Sequence, residues 1–577
     1  MYILGINQFH GDSSAANFKD GQLLFAIEEE RLRRVKHWAG FPSMAIKACL
    51  YYAGIDLNQV DHIAVSRNPS AHIIAKIKHT LFKFKDLNNI KDRLKNQANL
   101  LNTRDLLAKE FGISPKQITA KIHFVEHHRA HIASAFFVSP FDHAALLSID
   151  GFGDFTSTMI GFGLGTNIKI LDYVIYPHSL GVFYTAFTQW LGFEKYGDEY
   201  KVMGLSSYGE PKYMSKMRDI VLLRRDGMFR LNQDYFLHAK HGVSMTWDGG
   251  APFIERLYSP YLEAQFGPPR QKDQPLTQYH MDVAASVQKM TELTLFHILE
   301  HLYQLVGVDN LAMAGGVAQN SVANGKIYQN TKFKNVYIPP AATDAGTAIG
   351  AALWTYVVKL GNERQFQMNR ADWGQEFSLE QIKSVLEKYD NVLEYKFLED
   401  EQLYDFVVDQ LIQGKVVGWF HGRTEFGPRA LGYRSILADP RNPQAREILN
   451  KKIKRREPFR PFAPSILEEY VDEYFEQSYP VPFMEKVFKI RPEKRELIPA
   501  VTHVDGTGRL QTVSKNINPK YYSLIHAFYR RTGVPLLLNT SFNENEPIVN
   551  TPEEAIKTFL RTRMDILILE NYVVTRP

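Results

Sequence analysis

One pattern occurs twice in this chain and limits its fold more than any other feature: an apolar strand, a polar turn, then a hairpin. The first copy, MYILGINQFHGDSSAANFKDGQLLFAI, gives a strand ending near Gly5, a polar turn from Asn7 to Ser14 and a strand over Ala15–Phe18. A tight Lys19-Asp20-Gly21 turn and a third strand over Leu23–Ile27 complete it. The second copy, HAALLSIDGFGDFTSTMIGFGLGTNIKILDYVIY, has a strand over Ala144–Ile149 that delivers Asp150 and Gly151 at its end. A polar turn, a strand over Thr158–Phe162, a turn near Gly165-Thr166 and a strand over Ile168–Tyr176 follow. The repetition predicts two related α/β halves facing each other. Their turns, rich in glycine and small polar residues, suit nucleotide phosphates, because backbone N–H groups bind anions without charged side chains.

Between the copies lies HHRAHIASAFFVSPF. His127 and His131 are spaced i, i+4, which on a helix stacks both imidazoles on one face. The helix is expected to stop before Pro140. By themselves two helix histidines are usually surface or hydrogen-bonded core residues. With Asp150 at the mouth of the next strand, they become candidates for a divalent-metal site. A fourth ligand candidate is Asp344, at the start of a helix expected over Ala345–Tyr356 in PPAATDAGTAIGAALWTY; as a lone residue it also reads as an N-cap.

Other segments add polar groups to the same half. In RLRRVKHWAGFP, Arg33 and Arg34 read as a solvated helix end, while Lys36 and His37 precede the Phe41-Pro42 break, where a lysine has the length to reach the cleft. Residues 74–110 are Lys-rich and helical in pattern, a peripheral insertion. GDEYKVMGLSSYGEP packs Asp198, Glu199 and Lys201 between glycines, as a site loop or an ordinary helix-to-turn transition does. A helix over Asp282–Leu305 leads to a strand over Asn310–Ala314 and then AGGVAQNSVANGK. There Gly316 permits close ligand approach and Asn320 has the groups to bond a ribose hydroxyl or an adenine edge.

Residues 360–375, polar and aperiodic, read as a linker between a domain at 1–359 and one at 376–577. The second domain concentrates arginine in polar loops. GKVVGWFHGRTEFGPRALGYRSILADPR carries Arg423, Arg429, Arg434 and Arg441, and KIKRREPFRPFAP carries Lys452, Lys454, Arg455, Arg456 and Arg460. Because these alternate with Phe426, Leu431, Phe459 and Phe462, several are expected to point into a pocket, where arginine forks suit phosphate or carboxylate oxygens. HVDGTGRLQTV and PLLLNTSFNENEPIV add Arg509, Asn539, Ser541 and Asn543 beside apolar runs.

Composition narrows the partners. Lys+Arg of 68 against Asp+Glu of 63 leaves +5, which favours anionic small ligands in local pockets over a nucleic-acid-coating surface. A single cysteine, Cys49, excludes a disulfide framework and cysteine zinc fingers and fits a reducing cytoplasm. Met1 leads directly into an apolar strand, so no signal peptide is expected, and no apolar run is long enough to span a membrane.

The collected motifs closely resemble the NodU/TobZ/CmcH-type O-carbamoyltransferase family. In the first half these are GINQFHGDSSAA, EEERLRRVKH, HHRAHIASAFFVSPF, SIDGFGD, GDEYKVMGLSSYGEP, GGVAQNSVANGK and PPAATDAGTAIGAAL. In the second they are GRTEFGPRALGYRSILADPR, KRREPFRPFAPSIL, HVDGTGRLQTV and LLLNTSFNENEPIV. The resemblance implies an actin-like (duplicated RNase H-like) N-terminal ATPase domain followed by a YrdC-like α/β domain. It implies carbamoyl adenylate made from carbamoyl phosphate and ATP, with transfer of the carbamoyl group to a hydroxyl of a small-molecule acceptor in antibiotic, toxin or nodulation-factor synthesis. His127, His131, Asp150 and Asp344 match its metal ligands, for Fe2+ first and Mg2+ or Mn2+ as alternatives. Gly316 and Asn320 match its nucleotide loop. His10 and Lys36 match positions near the reacting group, and position makes His10 or Asp12 the candidate base for the acceptor. Arg429, Lys454, Arg460, Arg509, Asn539 and Ser541 match the carbamoyl-phosphate pocket. The expected assembly is a cytoplasmic monomer or homodimer that binds neither nucleic acid nor membrane.

Three rivals share parts of this pattern. A tRNA threonylcarbamoyl transferase would carry the metal motif without the arginine-rich second domain. A hydrogenase-maturation carbamoyltransferase would need cysteine zinc fingers. A non-catalytic nucleotide-binding scaffold would not need so many polar motifs.

Overall fold

Strands buried along nearly their whole length and a two-residue turn build the first sheet. Tyr2–Asn7 (β1), Ser14–Lys19 (β2) and Gln22–Glu28 (β3) run antiparallel, with Lys19 paired to Gln22 across Asp20 and Gly21. Both turn residues have positive φ (49° and 80°), the twist that joins hairpin strands without splaying them. His62–Val65 (β4) and Lys121–Phe124 (β5) extend this sheet in parallel, giving the order β3-β2-β1-β4-β5.

The second sheet repeats the plan. His143–Gly153 (β6), Thr156–Leu164 (β7) and Asn167–Ile175 (β8) form the meander, and Asn310–Ala314 (β9) and Asn335–Tyr337 (β10) add in parallel, in the order β10-β9-β6-β7-β8. Read from the other end, this is the order of the first sheet. One local expectation is corrected: β6 does not stop at Ile149 but continues to Gly153. Ile149 pairs with Thr158 and Gly153 with Thr156, so the intervening residues bulge out of the ladder. Such a bulge re-aims a side chain, and Asp150 sits in it.

Helices fill corresponding places in the two halves. Ser43–Ala53 (α1) lies between β3 and β4, and His127–Phe136 (α2) follows β5. Gln278–Val306 (α3) lies between β8 and β9, and Thr347–Leu353 (α4) follows β10. The single helix expected over Ala345–Tyr356 is divided into a 3-10 turn at Asp344–Gly346, α4, and a π-helical turn at Trp354–Lys359.

Small residues let α4 approach its neighbours closely. A Cβ at Gly5 of β1 would fall 1.9 Å from the Ala348 carbonyl oxygen, and one at Gly350 would fall 1.8 Å from that of Ala130 in α2. The apolar side of β1 and β3 packs on α1 through Leu4, Ile6, Phe25, Ile27, Ile46 and Leu50, all buried.

The computed structural model describes residues 1–81, 102–240, 243, 245, 246 and 248–577. Its two units comprise 1–323 with 327–368, and 324–326 with 369–577. Of the Lys-rich insertion at 74–110, residues 82–101 lie outside the described residues; its flanks are the helices Ile73–Leu81 and Thr103–Phe111. The aperiodic stretch from 361 to 377 has no helix or strand. Its early part is fastened by Arg364, which donates to the carbonyls of Phe136, Ser139 and Phe141.

The second unit centres on an eight-stranded sheet. In chain order its strands are Glu394–Phe397 (β11), Val417–Phe420 (β12), Arg434–Ala438 (β13), Ala463–Leu467 (β14), Gln511–Val513 (β15), Leu536–Ser541 (β16), Ile566–Leu569 (β17) and Tyr572–Thr575 (β18). Their spatial order is β11-β18-β17-β12-β13-β16-β14-β15. No described helix is long and apolar enough to cross a membrane.

Candidate functional site

The N-terminus of α2 is fixed by two carboxylates. Glu126 accepts from the backbone N–H groups of His128 (3.1 Å) and Arg129 (2.8 Å), and Asp154 accepts from that of His127 (2.9 Å). One helical turn then aligns His127 and His131, whose Nε2 atoms lie 3.1 Å apart. Only glycine at 153 leaves room for the His127 ring, since a Cβ there would fall 2.0 Å from its Cδ2.

From the β6 bulge, Asp150 brings Oδ2 to 3.4 Å from His127 Nε2 and 3.1 Å from His131 Nε2. From the turn before α4, Asp344 brings Oδ1 to 3.4 Å and 3.2 Å from the same two atoms. The four side chains are buried, and their ligating atoms all lie within 4.8 Å of one another. Ligands about 2.0–2.2 Å from a tetrahedral ion stand roughly 3.4 Å apart, so this donor set and these spacings fit one divalent cation.

The protonation pattern carries the same information. Burial pulls the His131 imidazole down, but Asp150 and Asp344 outweigh it and push it up to about 9. Burial holds His127 below its ordinary value. Asp150 lies well below the usual carboxylate range because His127 and His131 overcome the cost of burial. The two carboxylates thus favour positive charge at the position they share with His131.

The expected site residues around the quartet fall into distinct roles. The Gly316 N–H donates to Asp150 Oδ1 at 3.0 Å, so the glycine pair holds the bulged carboxylate. The Asn320 side chain is turned into the fold. Its Oδ1 accepts from Ala323 N–H at 3.0 Å, capping the next helix, and its amide exchanges hydrogen bonds with Gln288. His10 Nδ1 meets Asp344 Oδ2, and its Nε2 lies 3.2 Å from the Phe152 carbonyl oxygen. Lys36 is exposed.

The residue after it, His37, is the one that turns inward, with Nδ1 2.7 Å from Asp12 Oδ1. The loop carrying it is laced to the β1–β2 turn through Phe9 N–H to Gly40 O (3.2 Å) and Ser13 N–H to Trp38 O (2.7 Å). Nothing in the local sequence distinguishes His37 from Lys36. Its role depends on that loop docking.

In the second unit, Lys454 is buried and its ammonium donates to Ser541 Oγ (3.2 Å), to the Ser541 carbonyl and to Asn543 Oδ1 (2.7 Å) and O (2.8 Å). Asn539 donates to Ala430 O, Ser465 Oγ and Gln511 Oε1 at 3.0–3.2 Å, tying three strands together. Arg509 is held well below the ordinary arginine value by burial and then by Arg429, Arg456 and Arg460. The charges of Arg429, Arg456 and Arg460 thus all bear on Arg509, a repulsion that an anion would relieve. Arg456 joins the expected set. Two other arginines of the rich loops do not: Arg434 is buried, stacks 3.6 Å over Phe420 and donates to the carbonyls of His421, Gly422 and Tyr433, while Arg441 pairs with Asp439 at 2.7 Å.

Comparison with known proteins follows these two regions. A family model described as carbamoyltransferase N-terminus matches residues 2–353, and one described as carbamoyltransferase C-terminus matches residues 408–576. A curated Synechocystis protein of uncharacterized function is 42% identical over 100% of this chain and 97% of its own. Nodulation protein NolNO of Sinorhizobium fredii is 40% identical over 99% of this chain and 80% of its own. Nodulation protein NolO of Bradyrhizobium diazoefficiens is 39% identical over 78% and 79%. Among solved structures, component A of (R)-2-hydroxyglutaryl-CoA dehydratase from Acidaminococcus fermentans matches 62% of this chain and 99% of its own, with a TM-score of 0.32 and 16% identity.

Proposed function

The chain belongs to the carbamoyltransferase family, and from that premise we propose that it uses carbamoyl phosphate and ATP to carbamoylate a hydroxyl of a small molecule. The nodulation proteins it matches support an acceptor of the nodulation-factor or secondary-metabolite kind. The observation that carries ATP dependence is the quartet His127, His131, Asp150 and Asp344, assembled where the two repeat halves meet. The equal strand order of the two five-stranded sheets supports an actin-like ATPase in the first unit. For the second unit the reading is a YrdC-like α/β domain in which Arg429, Arg460, Arg509 and Lys454 serve carbamoyl phosphate.

Atom balance orders the chemistry. Water displaces phosphate from carbamoyl phosphate and leaves carbamate. A carbamate oxygen attacks the α-phosphorus of ATP and expels pyrophosphate. The acceptor oxygen then attacks the carbamoyl carbon and AMP departs. Nitrogen donation makes a free carbamate a poor electrophile, and attachment to AMP gives the carbon a good leaving group.

The arginines offset phosphate charge, and a closed site keeps water from the mixed anhydride. A divalent ion, with Fe2+ or Mn2+ better suited than Mg2+ to two imidazoles, would supply charge neutralisation at the nucleotide phosphates. The sole cysteine fits a cytoplasmic setting. Incubation with ATP and carbamoyl phosphate, followed by mass spectrometry, tests the reading: carbamoyl-AMP and pyrophosphate are expected, and their absence would remove it. The family match does not favour a tRNA-modifying enzyme.

A further inference from the structure

We propose that His37 is the general base that deprotonates the acceptor hydroxyl, with Asp12 as the positioning residue that fixes its tautomer. This deepens the function proposed above and rests on it.

Lone pairs separate His37 from His10. His10, the obvious candidate by position, has both ring nitrogens committed to oxygen, Nδ1 to Asp344 and Nε2 to the Phe152 carbonyl at 3.2 Å. An imidazole facing two acceptors donates at both nitrogens and has nowhere to receive a proton. His37 differs. Its Nδ1 donates to Asp12 Oδ1 at 2.7 Å, which leaves Nε2 as the basic atom, and no described residue hydrogen-bonds that nitrogen. The side chains of His37 and Asp12 keep 24% and 18% of their surface exposed, and beside Nε2 stands Gly197, where a Cβ would fall 2.3 Å from that nitrogen. A nitrogen base oriented by a carboxylate on its other nitrogen is the arrangement proton abstraction requires.

The second argument is placement. His10 and Asp12 flank Gly11 in one turn, which Asn7 Nδ2 braces by donating to the carbonyls of Gly11 (3.0 Å) and Asp12 (3.1 Å). His10 faces the metal quartet and Asp12 faces His37. Tyr196 lies across this turn: a Cβ at Gly11 would fall 2.2 Å from its hydroxyl, and its ring stands edge-on to His37 at 5.4 Å. The tyrosine feels the charges of Asp344, Asp12 and Asp150 together. One turn thus links the dyad to the quartet, through Asp12 on one side and through His10 and its contact with Asp344 on the other. Both dyad residues hold positive φ (Asp12 53°, His37 57°), an uncommon backbone state for residues with side chains. Glycine alone is a poor surrogate for that geometry's purpose, but it accepts the same φ without strain.

In the step, the acceptor O–H proton passes to His37 Nε2 as the oxygen bonds to the carbamoyl carbon. The bond from that carbon to the AMP oxygen then breaks, and AMP leaves with its electron pair. The charged and titratable groups around His37 are Asp12, Glu30, Lys36, Tyr196 and Glu199. Burial lowers the imidazole, and Asp12 and Glu30 more than restore it, so it stands above its ordinary value.

The test separates the two half-reactions in the full chain. Pyrophosphate release reports adenylate formation. Glycerol is the hydroxyl probe, and hydroxylamine is a probe nucleophile that needs no base. In H37G, carbamoyl transfer to glycerol is expected to fall at least about 100-fold, far more than pyrophosphate release, while capture by hydroxylamine persists. Added imidazole should restore glycerol transfer in H37G, an outcome that a purely structural role does not produce. The ratio of transfer to pyrophosphate should fall toward acid pH in the wild type and lose that dependence in H37G.

Parallel loss of both half-reactions, equal loss toward both probes, or no imidazole rescue would overturn the assignment. Absence of pyrophosphate from the wild type would instead overturn the adenylate reading beneath it.

Discussion

His131 Nε2 lies 3.2 Å from Asp344 Oδ1, although 213 positions separate the two residues in the chain. They meet because the two copies of the repeat place α2 and α4 against each other, and because glycine removes the side chain where the helix backbones touch. The site is a consequence of that helix contact, and this makes its support testable at positions that ligate nothing.

Gly350→Val adds a branched side chain whose Cβ would fall 1.8 Å from the Ala130 carbonyl oxygen. Overpacking at such a contact costs about 1–3 kcal/mol. The variant should unfold at lower urea concentration and bind Mn2+ more weakly, because α4 cannot seat Asp344 against α2. Unchanged stability and affinity would show that the contact does not set the site.

His10 touches Asp344 through Nδ1 but its own side chain is outside the quartet. Loss of a partner that orients a metal ligand typically weakens binding roughly 10–100-fold. His10→Ala should therefore lower Mn2+ affinity by that order in a direct titration and leave the stoichiometry unchanged.

The guanidinium groups of Arg429, Arg456 and Arg460 repel that of Arg509, and a bound anion would offset this. Inorganic phosphate should raise the wild-type melting temperature, with about 2.7 kcal/mol gained at a hundred times the dissociation constant. Arg509→Met should lose most of this response while not being less stable without phosphate. A phosphate response of full size in the variant would count against a role for Arg509.

Glu570 supplies a pH dependence in the second unit. Burial raises its carboxyl, but the His421 ring at 2.8 Å, Lys520 at 3.3 Å and the Gly422 N–H outweigh burial and hold it at about 2. A carboxyl lowered on folding stabilises the protein fully above its unfolded value, near 4.5, and that contribution is lost as pH falls toward about 2. Glu570→Gln should cost about 3 kcal/mol at neutral pH by this linkage. Its stability should converge with that of the wild type between pH 4.5 and 2 in acid-unfolding curves.

Local chemistry made most of the first unit legible. The Asp20-Gly21 turn and the apolar strands on either side of it specify a hairpin within a few residues, and the i, i+4 histidines specify a helix face. The bulge that re-aims Asp150 was not legible, because it arises from how β6 and β7 register rather than from any residue in SIDGFGD. Nor was His37. Lys36 has the longer reach, and only the backbone bonds from Gly40 and Trp38 to the β1–β2 turn decide which of the two neighbours faces Asp12. Asn320 shows the converse: its amide suits a ribose, yet Gln288 on α3, which sequence spacing does not bring near, occupies it. Among the arginines, composition told that a pocket was present but not which members line it, since Arg434 spends its donors on backbone carbonyls.

The central claim is that one cation joins two imidazoles and two carboxylates from the paired halves. Electron paramagnetic resonance of metal-stripped protein titrated with Mn2+ tests it most directly. The account predicts one tight site per wild-type chain and its loss in Asp344→Ala. A wild-type chain that binds no ion, or an Asp344→Ala chain that binds one with undiminished affinity, would contradict it.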